Sequence, residues 1–218
     1  ELSDTLLTIT PSMVSIHTLL TDRVAARIDK KGFTKLGALA QNAIERKKDL
    51  DGITLFASAN YTFGGAGVTT VTGHVSGARY RISSNANEPG VPPYRCVLHG
   101  YQIKDFVDEL TAGVGTYVVT DGLTADVFKN GFTLPICGVE VYEDGNITID
   151  SSDDAIGGVF ASEGIKLVQG MAPKMVAVRE EKIAGGATSV LIRDEYAYGE
   201  ASSGNWLYGL KSDAAAPT

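Results

Sequence analysis

One stretch limits this chain more than any other. Over Thr21–Asp51, apolar residues recur at helical spacing for longer than anywhere else. Val24, Ile28, Gly32, Leu36, Leu39 and Ala43 fall three or four apart and share one helix face, which Phe33, Ala40 and Ile44 widen. Arg23, Lys30, Lys31, Lys35, Gln41 and Arg46 cover the opposite face. Thr21 or Asp22 can accept a hydrogen bond from the first free N–H groups, and Arg46, Lys47 and Lys48 set positive charge at the negative end of the helix dipole. The pattern predicts one rod of roughly 40 Å, well beyond an ordinary globular helix. Gly32 and Gly37 each cost about 1 kcal/mol against Ala, and Gly37 reads as clearance for a close neighbour. The rest of the chain is expected to lie across this rod.

A chain of 218 residues can bury one large core or two smaller ones. Its 25 glycines are dispersed, which favours many turns and short strands over low complexity. No run is long enough to cross a bilayer, and no signal peptide is visible, so no membrane partner is expected. The net charge of −7, without a basic cluster, argues against gripping phosphates, yet it suits a protein that encloses nucleic acid without adhering to it. Cys96 and Cys137 are too far apart for a short metal motif and read as two buried thiols in a reducing compartment.

In chain order, residues 1–20 form an extended arm whose alternating apolar residues lack a nearby hairpin partner. That partner is expected upstream of Glu1 or on another subunit. Past Asp51, Gly64, Gly65 and Gly67 mark a turn, and Val75, Ala78 and Ile82 share the buried face of a second helix. Pro89, Pro92 and Pro93 make a rigid connector and the best candidate for a subdomain boundary. RCVLHG follows as a strand, and YQIKDFVDEL as a helix that buries Ile103, Phe106, Val107 and Leu110. A loop from Thr111 to Phe132 leads to strands, and Asp144–Gly145 signals a hairpin between Val139–Tyr142 and Ile147–Ile149. Further strands close the chain, with Trp206, Tyr208 and Leu210 on one face, Leu207 and Gly209 on the other, and a frayed tail from Ala214.

The chemistry an enzyme needs is missing from this pattern. His17, His74 and His99 stand alone, without a second ligand type at helical spacing. Gly73-His-Val-Ser76-Gly77 is not a nucleophile elbow, and Gly64-Gly-Ala-Gly67 lacks the Lys-Ser/Thr of a phosphate loop. The run Asp144–Asp154 alternates oxygens as a calcium loop does, but its glycine is misplaced and Ala155 stands where the bidentate Glu belongs. It reads as a solvated acidic turn. Tyr196, Tyr198, Trp206 and Tyr208 read as core, with a sugar-binding stripe as the alternative. No catalytic, cofactor-binding or metal-ligating residue is assigned, and no cofactor is expected.

The order of arm, long helix, Gly-rich turn, second helix, strand–helix–loop region and closing strands resembles the tailed-bacteriophage major capsid proteins. These share the Hong Kong-type α+β shell fold with encapsulins. The resemblance covers essentially the whole chain and rests on TITPSMVSIHTLLTDRVAARID, CVLHGYQIKDFVDEL and VREEKIAGGATSVLIRDEYAYGEASSGNWLYGLKSDA. It implies residues 1–20 as an extended-loop strand, 21–93 as a peripheral subdomain with its spine helix at Asp22–Lys48, 94–170 as an axial subdomain, and 171–218 as the return to the peripheral sheet. It also implies that an N-terminal arm and a first loop strand are missing before Glu1. The lysine that cross-links some relatives is not carried over.

By the same resemblance the chain is a structural virion protein and no enzyme. Copies assemble as pentamers and hexamers into an icosahedral shell around double-stranded DNA, in the host cytoplasm, alongside portal, scaffolding and decoration proteins. An encapsulin-like compartment, or a calcium- or carbohydrate-binding domain, is the alternative.

Overall fold

The computed structural model describes residues 7–28, 30–113, 135–183 and 185–217. Most of the loop expected at Thr111–Phe132, and the side chains of Phe33 and Leu110, lie outside them. The chain divides into two compact units, Glu1–Asp51 with Leu167–Tyr198, and Gly52–Lys166 with Gly199–Thr218.

The first unit is a three-stranded sheet with a helix. Strand β1 (Ser12–Thr21) pairs antiparallel with β7 (Ala187–Glu200), from Ser12 opposite Tyr196 to Thr21 opposite Ala187. The partner of the opening strand is therefore supplied by this chain, far downstream, a pairing that a search for a local hairpin cannot find. Strand β6 (Ile165–Glu180) takes the other side of β7, in the order β1-β7-β6. Gly185 and Gly186 close the β6–β7 turn with φ of 78° and 109°, conformations that any side chain would strain.

The expected rod is not continuous. Helix α1 (Asp22–Ala25) is one turn, ended where Ala26, Arg27 and Ile28 fold back onto Asp22 and Val24 carbonyls. Thr21 makes no side-chain cap, and the Asp22 carboxylate is taken by Arg179 instead. Helix α2 (Lys30–Ser58) then runs 29 residues, about 44 Å at the standard rise. It continues past the predicted end at Asp51 because Ile53 and Phe56 have a core to enter. Its buried row is also not the expected one. Leu36, Ala40, Ile44 and Lys48, each four apart, are half-buried or buried, whereas Leu39 is 65% exposed and Val24 and Ile28 are exposed. Spacings of three and four from Leu36 are both helical, so sequence alone leaves the phase open.

The second unit is a mixed five-stranded sheet in the order β2-β8-β5-β3-β4, from β2 (Thr62–Gly64), β8 (Leu207–Asp213), β5 (Asp154–Phe160), β3 (Tyr94–Leu98) and β4 (Val139–Glu143). One face packs α3 (Thr72–Ser83) through Val75, Ala78 and Ile82, and α4 (Gly100–Gly113) through Ile103 and Phe106. These meet Cys96, Leu98, Val159, Tyr208 and Leu210. The other face holds Ile53, Phe56, Ile147, Ala155 and Leu207. The alternation expected for the closing strand holds, with Leu207 opposite in facing to Tyr208 and Leu210. The strand nevertheless joins β5 and β2 and not the β6–β7 sheet.

Two further expectations change here. The Asp144–Gly145 hairpin does not form: β4 pairs parallel with β3, and Asp144 bends the chain by accepting the Asn146 N–H. Ile147 is instead buried in the core and Ile149 bridges Ala155. The tail is not frayed at Ala214, which is buried and donates its N–H to Asp153.

Candidate functional site

The three histidines and the glycine-rich turn make hydrogen bonds within the fold. His17 shares a 2.5 Å hydrogen bond with Ser189 across β1 and β7. His74 Nδ1 accepts the Val71 N–H, and Ser76 on the same helix donates to the Gly73 carbonyl. His99 Nδ1 accepts the Tyr101 N–H at the start of α4. In the Gly64–Gly67 turn, Gly65 N–H donates to Lys211 and Gly67 N–H to Asp154 Oδ1 at 2.7 Å, so donors that a phosphate would need are already bonded. Cys96 is buried, which pushes its thiol up, whereas Cys137, expected inside, is exposed at φ 51°.

The acidic run is built into the fold as well. Asp150 Oδ1 accepts the N–H groups of Asp154 (3.0 Å) and Ser152 (2.8 Å), bonds that hold its carboxyl below the usual range. Asp154 is almost wholly buried, and its second oxygen lies 3.3 Å from Lys211 Nζ. Among the described residues no group of three or more His, Cys, Asp or Glu is placed to hold a metal ion.

What the first unit offers is surface. Strand β6 is an edge of its sheet and is exposed along most of its length, with Leu167, Met175 and Val178 each about half exposed or more. Exposed apolar residues on an edge strand ordinarily invite pairing with another chain. Beside it, Ile16, Leu20, Leu36, Gly37, Ala40 and Met175 line an apolar cleft of about 140 Å³. A Cβ added to Gly37 would meet nothing within 4 Å, so the close neighbour expected there is not among the described residues.

The same helix and strand are fastened by a buried polar cluster. Lys48 Nζ lies 2.5 Å from Asp194 Oδ2, and Asp194 is fully buried and also accepts a bond from Gln169. Lys48 sits 5.3 Å over the Tyr196 ring, and the Tyr196 hydroxyl donates to Asp51. Burial, reinforced by that carboxylate, pushes the Tyr196 phenol up. At the β6–β7 turn end, Arg179 grips both Asp22 oxygens at 2.6 Å. Sequence reading placed Lys48 as dipole charge and Tyr196 as core. It missed the cluster because its members lie far apart in the chain, from Lys48 to Tyr196.

The second unit carries a different feature, a concave surface of about 480 Å³ lined by Tyr61, Tyr80, Arg81, Asn85, Asn205 and Tyr208. Tyr61 stacks on buried Tyr208 with ring centroids 5.6 Å apart. The sequence signal was present in Arg79-Tyr80-Arg81, but helical spacing alone treats such residues as a solvated face.

No protein-family model matches this chain, and no curated protein matches its sequence. Solved structures do. A structure from Mycobacterium phage Che8 superposes with a TM-score of 0.72 at 14% identity, over 91% of this chain and 70% of that one. The head structure of Helicobacter pylori bacteriophage KHP40 matches at 0.68 and 11% identity, over 95% and 76%. The holo-SrpI encapsulin complex from Synechococcus elongatus matches at 0.69 and 11% identity, again over 95% and 76%. The chain has the α+β Hong Kong-type fold shared by phage capsids and encapsulins.

Proposed function

We propose that this chain is a major capsid protein, copies of which assemble as pentamers and hexamers into an icosahedral shell around the double-stranded DNA of a tailed phage. The observation that carries the reading is the match of nearly the whole chain to phage and encapsulin shell structures. Exposed apolar residues along β6 and the unfilled cleft at Gly37 support it, since both are surfaces that a neighbouring copy would cover. Shell building multiplies modest contacts over many copies, so individually weak interfaces suffice. The charge of −7 lets packed DNA be spooled without adhering.

In this reading the peripheral role falls to Glu1–Asp51 with Leu167–Tyr198, and the axial role to Gly52–Lys166 with Gly199–Thr218. Relative to the sequence division, residues 52–93, 167–170 and 199–218 change sides. The protein acts mechanically and not as an enzyme, is found in the virion after assembly in the host cytoplasm, and meets portal, scaffolding and decoration proteins there.

Electron microscopy of the purified full-length protein is the test. Closed isometric particles with five- and six-fold capsomers are expected. A chain that stays monomeric at every concentration up to its solubility limit would overturn the reading.

The encapsulin match favours one second reading, a compartment that holds a cargo enzyme. Particles isolated from the source organism separate the two: nuclease-protected DNA supports the capsid, and a co-purifying enzyme without DNA supports the compartment.

A further inference from the structure

We propose that the tyrosine-rich concavity of the second unit is a socket for a second copy of this chain, and that Arg81 receives a carboxylate of that copy across the contact. The inference rests on the assembly reading and adds to it one interface and its chemistry.

The socket is lined by aromatic rings, amides and one guanidinium, and none of its lining residues carries a carboxylate. In a chain with 26 acidic and 19 basic residues, a concave patch whose one charged group is a guanidinium runs against the overall balance. A second copy carries the same net charge of −7, so a carboxylate from it would complement the Arg81 charge. The Arg81 charge reaches into the cleft, where it opposes the burial that pushes the Tyr208 phenol up. Arg81 is exposed and forms no ion pair among the described residues, unlike Arg95 and Arg179.

The rings are also held in place before any partner arrives. Tyr61 is 52% exposed but stacked on Tyr208, which is 3% exposed. Tyr80 is 54% exposed, and the Arg79 guanidinium lies 4.5 Å from its ring and 5.4 Å from buried Tyr94. Large rings fixed beside an unpaired Arg carry contact area at little ordering cost, the composition that dominates protein interfaces. A solvated surface would need neither the stacking nor the concavity.

The test places a thiol in the socket. Cys137→Ser removes the exposed native thiol, and Tyr80→Cys in that background is labelled with a maleimide in dissociated subunits and in assembled shells. Labelling is expected to slow by about tenfold or more on assembly, as for a group buried in an interface. Arg81→Glu, with unchanged circular dichroism, is expected to raise the protein concentration needed for shells by about tenfold.

Equal labelling rates in the two states overturn the proposal, and so does assembly of Arg81→Glu at the wild-type concentration. If Tyr80→Cys folds but forms no shells, Ser84→Cys on the cleft rim is scored in the same way. If the wild-type protein forms no shells, the assembly reading itself fails. If it forms shells and the socket variants behave as wild type, only the socket fails.

Discussion

Removing the charge of Lys48 tests how the long helix is fastened to its sheet. Asp194 is fully buried and has two partners that reach it from outside its own strand, Lys48 at 2.5 Å and Gln169 at 3.2 Å. Lys48→Met keeps helix propensity and the aliphatic stem but leaves the carboxylate with one neutral donor. Breaking a buried pair from one side costs about 3–5 kcal/mol, and the 13% exposure of the Lys48 side chain puts this case near about 3. Because about 1.4 kcal/mol is a factor of ten, amide exchange in the α2 segment around Lys48 should accelerate by about a hundredfold. Hydrogen-exchange mass spectrometry of dissociated subunits reads this directly. The double variant Lys48→Met/Asp194→Leu removes both charges and should return to within about 1 kcal/mol of wild type. A single variant that exchanges at the wild-type rate, or a double variant no better than the single, would refute the reasoning.

Tyr196→Phe deletes the hydroxyl that donates to Asp51 and should cost about 1 kcal/mol, read by the same exchange experiment. Because the folded phenol is pushed above its ordinary value of 10.0, the stability it contributes is complete below that pH and lost as pH rises beyond it. A spectrophotometric titration should therefore show at least one tyrosine ionising only as the protein unfolds in alkali. Gly157→Ala would set a Cβ 2.3 Å from the Val97 carbonyl oxygen of the neighbouring strand. A loss of about 1–3 kcal/mol or more is expected, seen as a fall of several degrees in Tm, and an unchanged Tm would show that the strands can part. A maleimide should label the native subunit at Cys137 and reach Cys96 only on unfolding; two fast equivalents would contradict the burial of Cys96.

Where the sequence was legible, a local pattern decided the outcome. Val75, Ala78 and Ile82 mark α3 because a 12-residue helix with one buried row admits a single phase. The closing strand shows its two faces because the alternation of Leu207, Tyr208, Gly209 and Leu210 has no competing period. Where the outcome was hidden, a distant partner decided it. Thr21 or Asp22 was read as a helix cap, but Arg179, 157 residues away, holds the Asp22 carboxylate, and the helix that starts there is one turn long. Leu39 looked as apolar as Leu36, but the sheet covers the row that ends in Lys48, because Lys48 is what buried Asp194 requires. The β1 strand looked unpaired because its partner begins at Ala187.

The same distinction explains how the fold persists at 11–14% identity to its structural neighbours. Very few positions here demand one particular side chain. Gly157 and Gly158 do, since a Cβ would strike the Val97 carbonyl in one case and the Phe56 ring at 2.3 Å in the other. Gly209 does too, since a Cβ there would come 2.8 Å from the Phe56 carbonyl oxygen. These three glycines lie on adjacent strands β5 and β8. Gly158 and Gly209, directly opposite each other, let the end of α2 come down onto the sheet, and Gly157 lets β3 lie close. Elsewhere the requirement is only apolar or polar at the right period, which many residues meet. A fold held by period and by a few close approaches can lose nearly all sequence likeness. Surfaces such as β6 and the Arg81 concavity then stay free to vary with whatever they must meet.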